Sequence, residues 1–176
     1  MRALLLAAGL GTRLYPVTQA CPKCLVPIAG QPLLYFWLSQ LYAAGVREFH
    51  INVHHFPEQV HEAIASFLAR QPKPAQWHIH LHDEEALLGT LGTLHRHLDD
   101  LFRDDAPLLV AHADNLVSAD WQGFYAAHQQ RDTDLLATIM TFECDIPQQC
   151  GIVETDEQQR LLAFHEKVCF ICNNLK

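Results

Sequence analysis

Apolar residues fall into two patterns along this chain, and the first of them predicts the strands of a sheet. Unbroken or nearly unbroken apolar runs, typical of strands covered on both faces, occupy residues 4–8, 108–111 and 135–142, and residues 48–53 are also predicted to form a strand. Residues 77–82 instead alternate between apolar side chains and three histidines, which predicts a strand with one buried and one wetter face. Two short strands, 150–154 and 161–164, are predicted around a polar turn.

The second pattern, apolar residues three or four positions apart, predicts helices between these strands. Pro32 opens the first helix, Gly45 ends it, and Pro57 opens the second. A third helix follows the polar and glycine-containing segment 83–92, and Asp120 caps a fourth. The residues expected to face inward are Leu34, Trp37, Leu38, Leu41 and Tyr42, then Val60, Ile64, Phe67 and Leu68, then Leu94, Leu98, Leu101 and Phe102. The fourth helix carries Trp121, Phe124, Tyr125 and His128.

Strands that alternate with helices define the expected fold class. We predict an α/β fold with a Rossmann-like, doubly wound, mostly parallel (mixed) sheet and helices on both faces. The 176 residues suffice for one domain with a real core, since 49% of them are hydrophobic and 18% charged. No repeat, low-complexity tract or linker suggests an internal boundary.

Charge and cysteine content limit the possible binding partners and the cellular compartment of the protein. Twelve Lys+Arg against 20 Asp+Glu give a formal net charge of −8, which argues against nucleic acid or an anionic membrane as a partner. No apolar run approaches the roughly 20 residues of a membrane span. The six cysteines are expected to be reduced thiols, because a chain of this size needs no disulfides, and we expect a cytoplasmic protein.

Two clusters of metal-ligating residues have simpler interpretations. Cys21 and Cys24 with Cys169 and Cys172 have zinc-site spacing within each pair, but the pairs lie far apart, so a structural or accidental origin is favoured. The three histidines of residues 77–82 point to one side of a strand and could bind a transition metal. An exposed face of an edge strand is the favoured interpretation.

Residues 9–31 form a long connection after the first strand, and such loops are usually functional. Gly9 and Gly11 let backbone N–H groups approach phosphate or a base edge, Arg13 offers a forked donor set, and Lys23 a mobile charge. The segment is neither a dinucleotide fingerprint, because Leu14 stands where the third glycine belongs, nor a Walker loop. The alternative is a plain turn with two solvated cations.

Asp114 follows the strand at residues 108–111 almost directly. Open α/β sheets bind ligands at the carboxyl ends of their strands, so this carboxylate lies where a ligand is expected to bind. The alternative is an aspartate that caps a loop.

Longer motifs connect these features to a known family. Gly-x-Gly-Thr-Arg-Leu-x-Pro-x-Thr from Gly9, then Pro22-Lys23, then Pro-Ile-Ala-Gly-Gln-Pro-Leu from Pro27 closely resemble the sugar-1-phosphate nucleotidyltransferases. The resemblance continues through Leu-Gly-Thr-Leu-Gly from Leu88, Ala113-Asp114, Gly-Ile-Val-Glu from Gly151 and Phe-His-Glu-Lys from Phe164. The insertion before Pro22-Lys23 is most similar to mannose-1-phosphate guanylyltransferase-like and related hexose-1-phosphate members.

The resemblance implies an enzyme that makes a nucleotide-sugar from a nucleoside triphosphate and a sugar 1-phosphate, with Mg²⁺ as cofactor and pyrophosphate released. It implies catalytic roles for Arg13, Lys23 and Asp114, with Asp114 also the metal ligand. The nucleotide-binding residues would be Ala8, Gly9, Gly11, Thr12, Glu85 and Gly89, with Glu84 as an alternative to Glu85. The sugar-phosphate-binding residues would be Gly151, Glu166 and Lys167.

The chain departs from this family pattern at its end. A second metal-binding aspartate in an Asp-x-Gly context is absent, and residues 168–176 form an atypical tail after a catalytic domain at residues 1–167 that is incomplete at its C-terminal end. Two alternatives therefore stay open: transfer to a non-sugar phosphate such as phosphocholine, and a truncated, non-catalytic nucleotide-binding module. The base, the sugar and the formation of a homo-oligomer are left open.

Overall fold

A computed structural model describes residues 1–146 and 150–166 of the chain. The chain divides into two compact units, Met1–Gln129 and Gln130–Lys176. Within the described residues no helix is both long and apolar enough to cross a membrane.

The first unit is built on a four-stranded parallel sheet. Its strands are β1 (Arg2–Leu6), β4 (Glu48–Val53), β5 (His78–Asp83) and β6 (Leu108–His112), in the order β5-β4-β1-β6. A two-stranded antiparallel pair, β2 (Pro27–Ile28) and β3 (Gln31–Pro32), lies within the long loop. The parallel sheet predicted from the apolar runs is confirmed for this unit, and β5 lies at its edge.

Helices cover both faces of this sheet. The helices are α1 (Leu33–Ala43), α2 (Pro57–Ala69), α3 (Gly89–Arg96), α4 (Leu98–Leu101) and α5 (Trp121–Gln129). One face, with Leu5, Phe49 and Ile51, packs against apolar residues of α1 and α2 in the main core. On the other face Leu4 and Leu6 pack with residues of α3 and α4 in a second, smaller cluster.

The first strand begins and ends two residues earlier than predicted. Arg2 belongs to β1 and is buried, because Glu48, Asp104 and the carbonyl of Leu101 satisfy its guanidinium. Ala7 is also buried but lies outside the strand, since its N–H donates to the side chain of Asn52 at 2.8 Å. The Asn52 side chain thus accepts the hydrogen bond that a neighbouring strand would otherwise accept, at the point where the functional loop begins.

The fourth strand has the predicted position, yet Val110 is half-exposed rather than buried.

The third predicted helix is wrong in two respects. It begins earlier, at Gly89, and His97 divides it into α3 and α4 because its φ and ψ of −114° and 22° are not helical. The helical periodicity is therefore not carried across the break. Leu94 and Leu101 face the sheet as predicted, whereas Leu98 and Phe102 are 43% and 54% exposed.

The second unit contains an antiparallel hairpin of β7 (Gly151–Thr155) and β8 (Leu161–Glu166), as predicted. Asp156 shapes its turn by accepting from the N–H groups of Gln158 and Arg160. The strand predicted at residues 135–142 is wrong, because the structure assigns no strand there. Strand propensity is local, but a strand also needs a partner for its N–H and C=O groups.

Candidate functional site

The carboxyl ends of β1, β4 and β6 meet at one edge of the sheet. The strands are parallel and in register, with Leu6 opposite both Asn52 and His112. Beyond the ladder, Ala113 N–H donates to the Leu6 carbonyl at 3.0 Å, which keeps the two strand ends together. The segments that begin with Ala7 and Ala113 therefore leave the sheet side by side.

Lys23 and Asp114 form an ion pair at this edge. Lys23 Nζ lies 2.8 Å from Asp114 Oδ2, and the side chains are 20% and 31% exposed. Lys23 opens the 3-10 turn Lys23–Leu25, and Asp114 follows β6 after the fully buried Ala113. A cation and a hard oxygen ligand, both within reach of solvent, are thus joined where the sequence placed them separately.

The loop between β1 and Lys23 is folded onto Lys23 itself. Thr18, fully buried, donates from Oγ1 to the Gly11 carbonyl at 2.8 Å, and His55 Nε2 donates to the Thr18 carbonyl at 2.9 Å. Gly11 has φ +65°, and a Cβ there would lie 3.0 Å from Lys23 Cβ and from Thr18 Cγ2. Only glycine suits this position, both for its backbone conformation and for the space available.

Arg13 lies on the 3-10 turn Thr12–Leu14, whose first hydrogen bond runs from Leu14 N–H to the Gly11 carbonyl. Thr12 and Arg13 are exposed, and among the described residues Arg13 has no hydrogen-bond or ion-pair partner. A guanidinium of this kind beside a glycine loop is available to an anionic ligand. Gly9 is also exposed, whereas Ala8 is buried.

A buried polar network supports the start of this loop. Asn52 accepts the Ala7 N–H and donates from Nδ2 to Glu84 Oε1 at 3.0 Å and to Thr93 Oγ1 at 3.1 Å. Thr93 in turn donates to Glu84 Oε1 at 2.6 Å. All three side chains are buried, and Glu84 Oε2 has no partner among the described residues. The network fixes the orientation of the Asn52 amide and, through it, the position of Ala7.

The two glutamates after β5 differ in their surroundings. Glu84 belongs to the buried network, whereas Glu85 is exposed. Gly89 opens α3 with φ +70°, a conformation that favours glycine, and a Cβ there would meet no atom. Backbone conformation rather than close packing therefore explains this glycine.

The first cysteine pair lies within the same loop. Burial raises the pKa of Cys24 to about 12 and also raises the pKa of Cys21. Both thiols are therefore protonated at neutral pH in the metal-free chain. Cys169 and Cys172 lie outside the described residues.

The sugar-phosphate residues predicted from the family pattern belong to the second unit. Gly151 and Glu166 are partners in the β7–β8 register, so the hairpin brings their backbones together. A Cβ on Gly151 would lie 2.4 Å from the Phe164 ring, which accounts for glycine at that position. Lys167 lies outside the described residues.

A second charged cluster occupies the opposite, amino-terminal end of the sheet. Arg2 Nε donates to Glu48 Oε2 at 3.1 Å, and Arg103 grips both Glu48 oxygens at 2.7 Å. Burial raises the pKa of Glu48, but hydrogen bonds from Arg103, His50 and Arg2 outweigh it and hold the pKa at about 2. The carboxylate is therefore ionised at neutral pH.

Sequence reasoning missed three residues that build the carboxyl edge: Asn52, Thr18 and Thr93. Asn52 lies in a predicted strand, and a polar residue must find hydrogen-bond partners when it is buried. Thr93 similarly lies on the inner side of a helix that was judged by its leucines. The partners of both residues are distant in sequence, so only the polar exception to the pattern was available as a clue.

Comparison with known proteins gives one family and several relatives. Residues 2–167 match the family described as Nucleotidyl transferase. Proteins named mannose-1-phosphate guanyltransferase are similar: that of Emericella nidulans is 30% identical over 99% of this chain, and that of Schizosaccharomyces pombe 32% over 87%. The chain covers 47% and 40% of those two proteins, so it spans less than half the length of either.

Solved structures agree with the fold. A crystal structure of HddC from Yersinia pseudotuberculosis complexed with GMP-PN has a TM-score of 0.72 at 23% identity and covers 94% of this chain and 69% of that one. A putative glucose-1-phosphate thymidylyltransferase from Bacillus anthracis, in complex with a sucrose, has a TM-score of 0.74 at 19% identity and covers 96% and 65%. Both support the α/β architecture described above.

Proposed function

The chain belongs to the nucleotidyl transferase family, and from this membership we propose that it makes a nucleotide-sugar from a nucleoside triphosphate and a sugar 1-phosphate, releasing pyrophosphate. The observation that carries the proposal is the Lys23–Asp114 pair at 2.8 Å, joined at the carboxyl edge of the sheet and packed against the Gly11 turn. A cation, an oxygen ligand and a glycine loop are the groups that a triphosphate requires.

In the proposed reaction a phosphate oxygen of the sugar 1-phosphate attacks the α-phosphorus of the nucleoside triphosphate. The bond between the α-phosphorus and the bridging oxygen breaks, and its electrons leave with pyrophosphate. Lys23 neutralises charge on the α-phosphate, and Arg13 binds the phosphates that depart. Positioning and charge neutralisation supply most of the rate in such transfers, so these two cations account for the protein's main contribution.

Asp114 is the proposed ligand for Mg²⁺. Its carboxylate is a hard oxygen donor at the sheet edge and is partly exposed, so it fits the ion's chemistry. The ion, when bound, supplies further neutralisation of phosphate charge. Asp114 also orients the Lys23 ammonium before substrate arrives, which reduces the conformational freedom that must be lost on binding.

The nucleotide lies, in this proposal, along the loop that follows β1 and near the start of α3. Ala8, Gly9, Gly11 and Thr12 contact it from the first segment, and Glu85 and Gly89 from the second. The exposure of Gly9, Thr12, Glu85 and Gly89 supports their availability to a ligand. Because relatives of this chain are named mannose-1-phosphate guanyltransferases, GTP with mannose 1-phosphate is the first substrate pair to assay.

The sugar phosphate is proposed to contact Gly151, Glu166 and Lys167. The extent of the catalytic domain, residues 1–167, stays a prediction.

The test is a pyrophosphate-release assay with each nucleoside triphosphate, Mg²⁺ and a panel of sugar 1-phosphates. Lys23→Ala and Asp114→Ala are each expected to reduce turnover by roughly 100-fold or more, because each removes charge stabilisation of the transition state. Lys73→Ala and Asp105→Ala are matched controls, since both residues are exposed and lie elsewhere. Turnover at the wild-type rate in either site variant would contradict the assigned roles.

Two other outcomes would replace the proposal. Pyrophosphate release with phosphocholine alone would indicate a non-sugar acceptor. Nucleotide binding with no pyrophosphate from any pair would indicate a nucleotide-binding module without catalysis. Calorimetric titration with each triphosphate separates the second outcome from an unfolded preparation.

A further inference from the structure

Glu48, His50 and His80 bring three metal-binding atoms together near the amino-terminal ends of β4 and β5. Their ligand atoms all lie within 4.8 Å of one another. His50 Nε2 is 3.1 Å and His80 Nε2 is 3.9 Å from the same carboxylate oxygen, Glu48 Oε1. These separations are close to those between neighbouring ligands of one ion that binds nitrogen and oxygen at about 2.0–2.2 Å.

This cluster is separate from the candidate active site. Glu48 stands four positions before Asn52 in β4, so the two ends of the strand are about 13 Å apart. The active-site pair, Lys23 and Asp114, lies beyond the carboxyl ends of the strands. A metal bound by Glu48 therefore serves a different purpose from an ion bound by Asp114.

We propose that Glu48, His50 and His80 form a binding site for a late first-row divalent transition metal, with Zn²⁺ as the probe ion. Imidazole nitrogen favours zinc, copper and nickel, whereas Mg²⁺ and Ca²⁺ favour sites made only of oxygen. Two imidazoles with one carboxylate leave positions on the ion for water. His80, whose side chain is 51% exposed, gives the ion access from solvent, and the buried His50 fixes the geometry from inside.

The surroundings of His50 supply the second contact that a metal-bound histidine needs. His50 Nδ1 lies 2.9 Å from His82 Nε2, and the two rings are nearly parallel at an interplanar angle of 6°. With Nε2 on the metal, Nδ1–H donates to His82 and holds the ring in place. A partner on the second ring nitrogen is a regular feature of metal-binding histidines.

Arg103 competes with a metal ion for the carboxylate of Glu48. It donates to both oxygens of Glu48, including the oxygen that faces the two histidines. Arg103 is half-exposed, so its guanidinium can be hydrated again when the metal displaces it from Glu48. Arg2 stays on the other oxygen, Oε2, and keeps the carboxylate oriented.

The experiment uses the untagged 176-residue chain, stripped with a chelator and titrated with Co²⁺, whose visible absorption reports nitrogen and oxygen coordination. Zn²⁺ affinity then follows by competition. His80→Ala is expected to weaken Zn²⁺ binding by about tenfold or more, because it removes a ligand without disturbing the core. His61→Ala, which removes an exposed histidine on α2, is the matched control and should bind as wild type does.

Two further variants test the role of Arg103 and the location of the bound ion. Arg103→Ala is expected to bind Zn²⁺ more tightly, since the competing cation is gone, and Asp114→Ala should bind it with unchanged affinity. Equal affinities in wild type and His80→Ala would overturn the proposal. Weaker Zn²⁺ binding in Arg103→Ala would also overturn it. Loss of Zn²⁺ binding in Asp114→Ala would overturn it too, because the ion would then bind at the active-site edge.

Discussion

Ile51 and Asn52 are neighbours in β4 and face opposite sides of the same sheet. Ile51 is fully buried in the main core against α1 and α2. Asn52 is almost as deeply buried, yet it makes hydrogen bonds to Ala7, Glu84 and Thr93. Burial is therefore nearly equal on the two faces, while the interactions that occupy the buried space differ.

Because of this difference, the two positions should tolerate amino-acid substitutions to different degrees. An apolar position accepts another apolar side chain of similar volume at modest cost, because packing is not directional. A buried hydrogen-bond network accepts few changes, because removal of one member leaves its partners without hydrogen bonds. The apolar side chains around Ile51 thus stabilise the fold, and the hydrogen-bonded side chains around Asn52 position the loop that begins at Ala7.

The largest effect is expected on the apolar face. Ile51→Ala should lower the free energy of unfolding by about 2–5 kcal/mol, since it removes buried methyl groups and leaves a cavity. Urea unfolding followed by circular dichroism measures the change. Ile51→Val is the control and should lose about 0.5–1.5 kcal/mol. An equal loss in both variants would show that volume does not govern this face.

The second prediction concerns the polar face. Asn52→Ala should lower the free energy of unfolding by about 1–3 kcal/mol, because Ala7 N–H and the Glu84 carboxylate lose a buried partner. It should also weaken nucleotide binding, which Ile51→Val should leave unchanged. Unfolding and calorimetric titration measure the two effects.

A double-mutant cycle with Thr93→Val sharpens this second test. Thr93 and Asn52 share Glu84 Oε1, so the combined loss of stability should differ from the sum of the two single losses. Simple additivity would contradict the description of these residues as one network.

The third prediction is a pH dependence of the polar face, measured in the metal-free protein. Burial, together with His97, His50 and His80, lowers the pKa of His82 from 6.5 to about 4, while Asp100 opposes the shift. The unfolded chain therefore binds a proton at higher pH than the folded chain. The contribution of His82 to the free energy of unfolding is therefore fully present above pH 6.5 and is lost as the pH falls towards about 4.

His82→Asn should flatten that part of the stability curve, as followed by urea unfolding at a series of pH values. An unchanged slope in this variant would remove His82 as its origin. Ile51→Val, on the other face, should keep the wild-type slope.

The smallest effect is expected at Leu98, which helical periodicity had placed inward. Because Leu98 is 43% exposed, Leu98→Ala should change the free energy of unfolding by only about 0.5 kcal/mol. Leu101→Ala, three residues later and fully buried, is the matched comparison and should cost about 2–5 kcal/mol. Thermal or urea unfolding distinguishes them, and equal losses would mean that α4 faces the sheet differently.

The sequence predicted best those elements whose limits are set locally. The strand at residues 48–53 has the predicted bounds, and Pro57 opens α2 as expected. The turn of the β7–β8 hairpin is likewise made by residues within a few positions of Asp156. The membership of the nucleotidyltransferase family, predicted from motifs, is also confirmed.

The failures depend on distant partners. Residues 135–142 have strand propensity but no strand in the structure, and the end of β1 depends on the side chain of Asn52, 45 positions from Ala7. In the candidate site, the position of Asp114 at the carboxyl end of a strand followed from the strand pattern, whereas Lys23 was placed only within the long loop after the first strand. Their direct pairing did not follow from the pattern, because it depends on how the intervening loop folds over Thr18 and Gly11.

The order of strands also determines when the candidate site is assembled. β1 is made before its partners on either side, β4 and β6, and Lys23 and Asp114 are 91 positions apart. Contacts of such long range close slowly, because the chain between them must lose its freedom first. During synthesis the edge of the apolar β1 that pairs with β6 therefore stays unpaired until β6 has left the ribosome. An apolar strand with an unpaired edge is prone to aggregate during that interval.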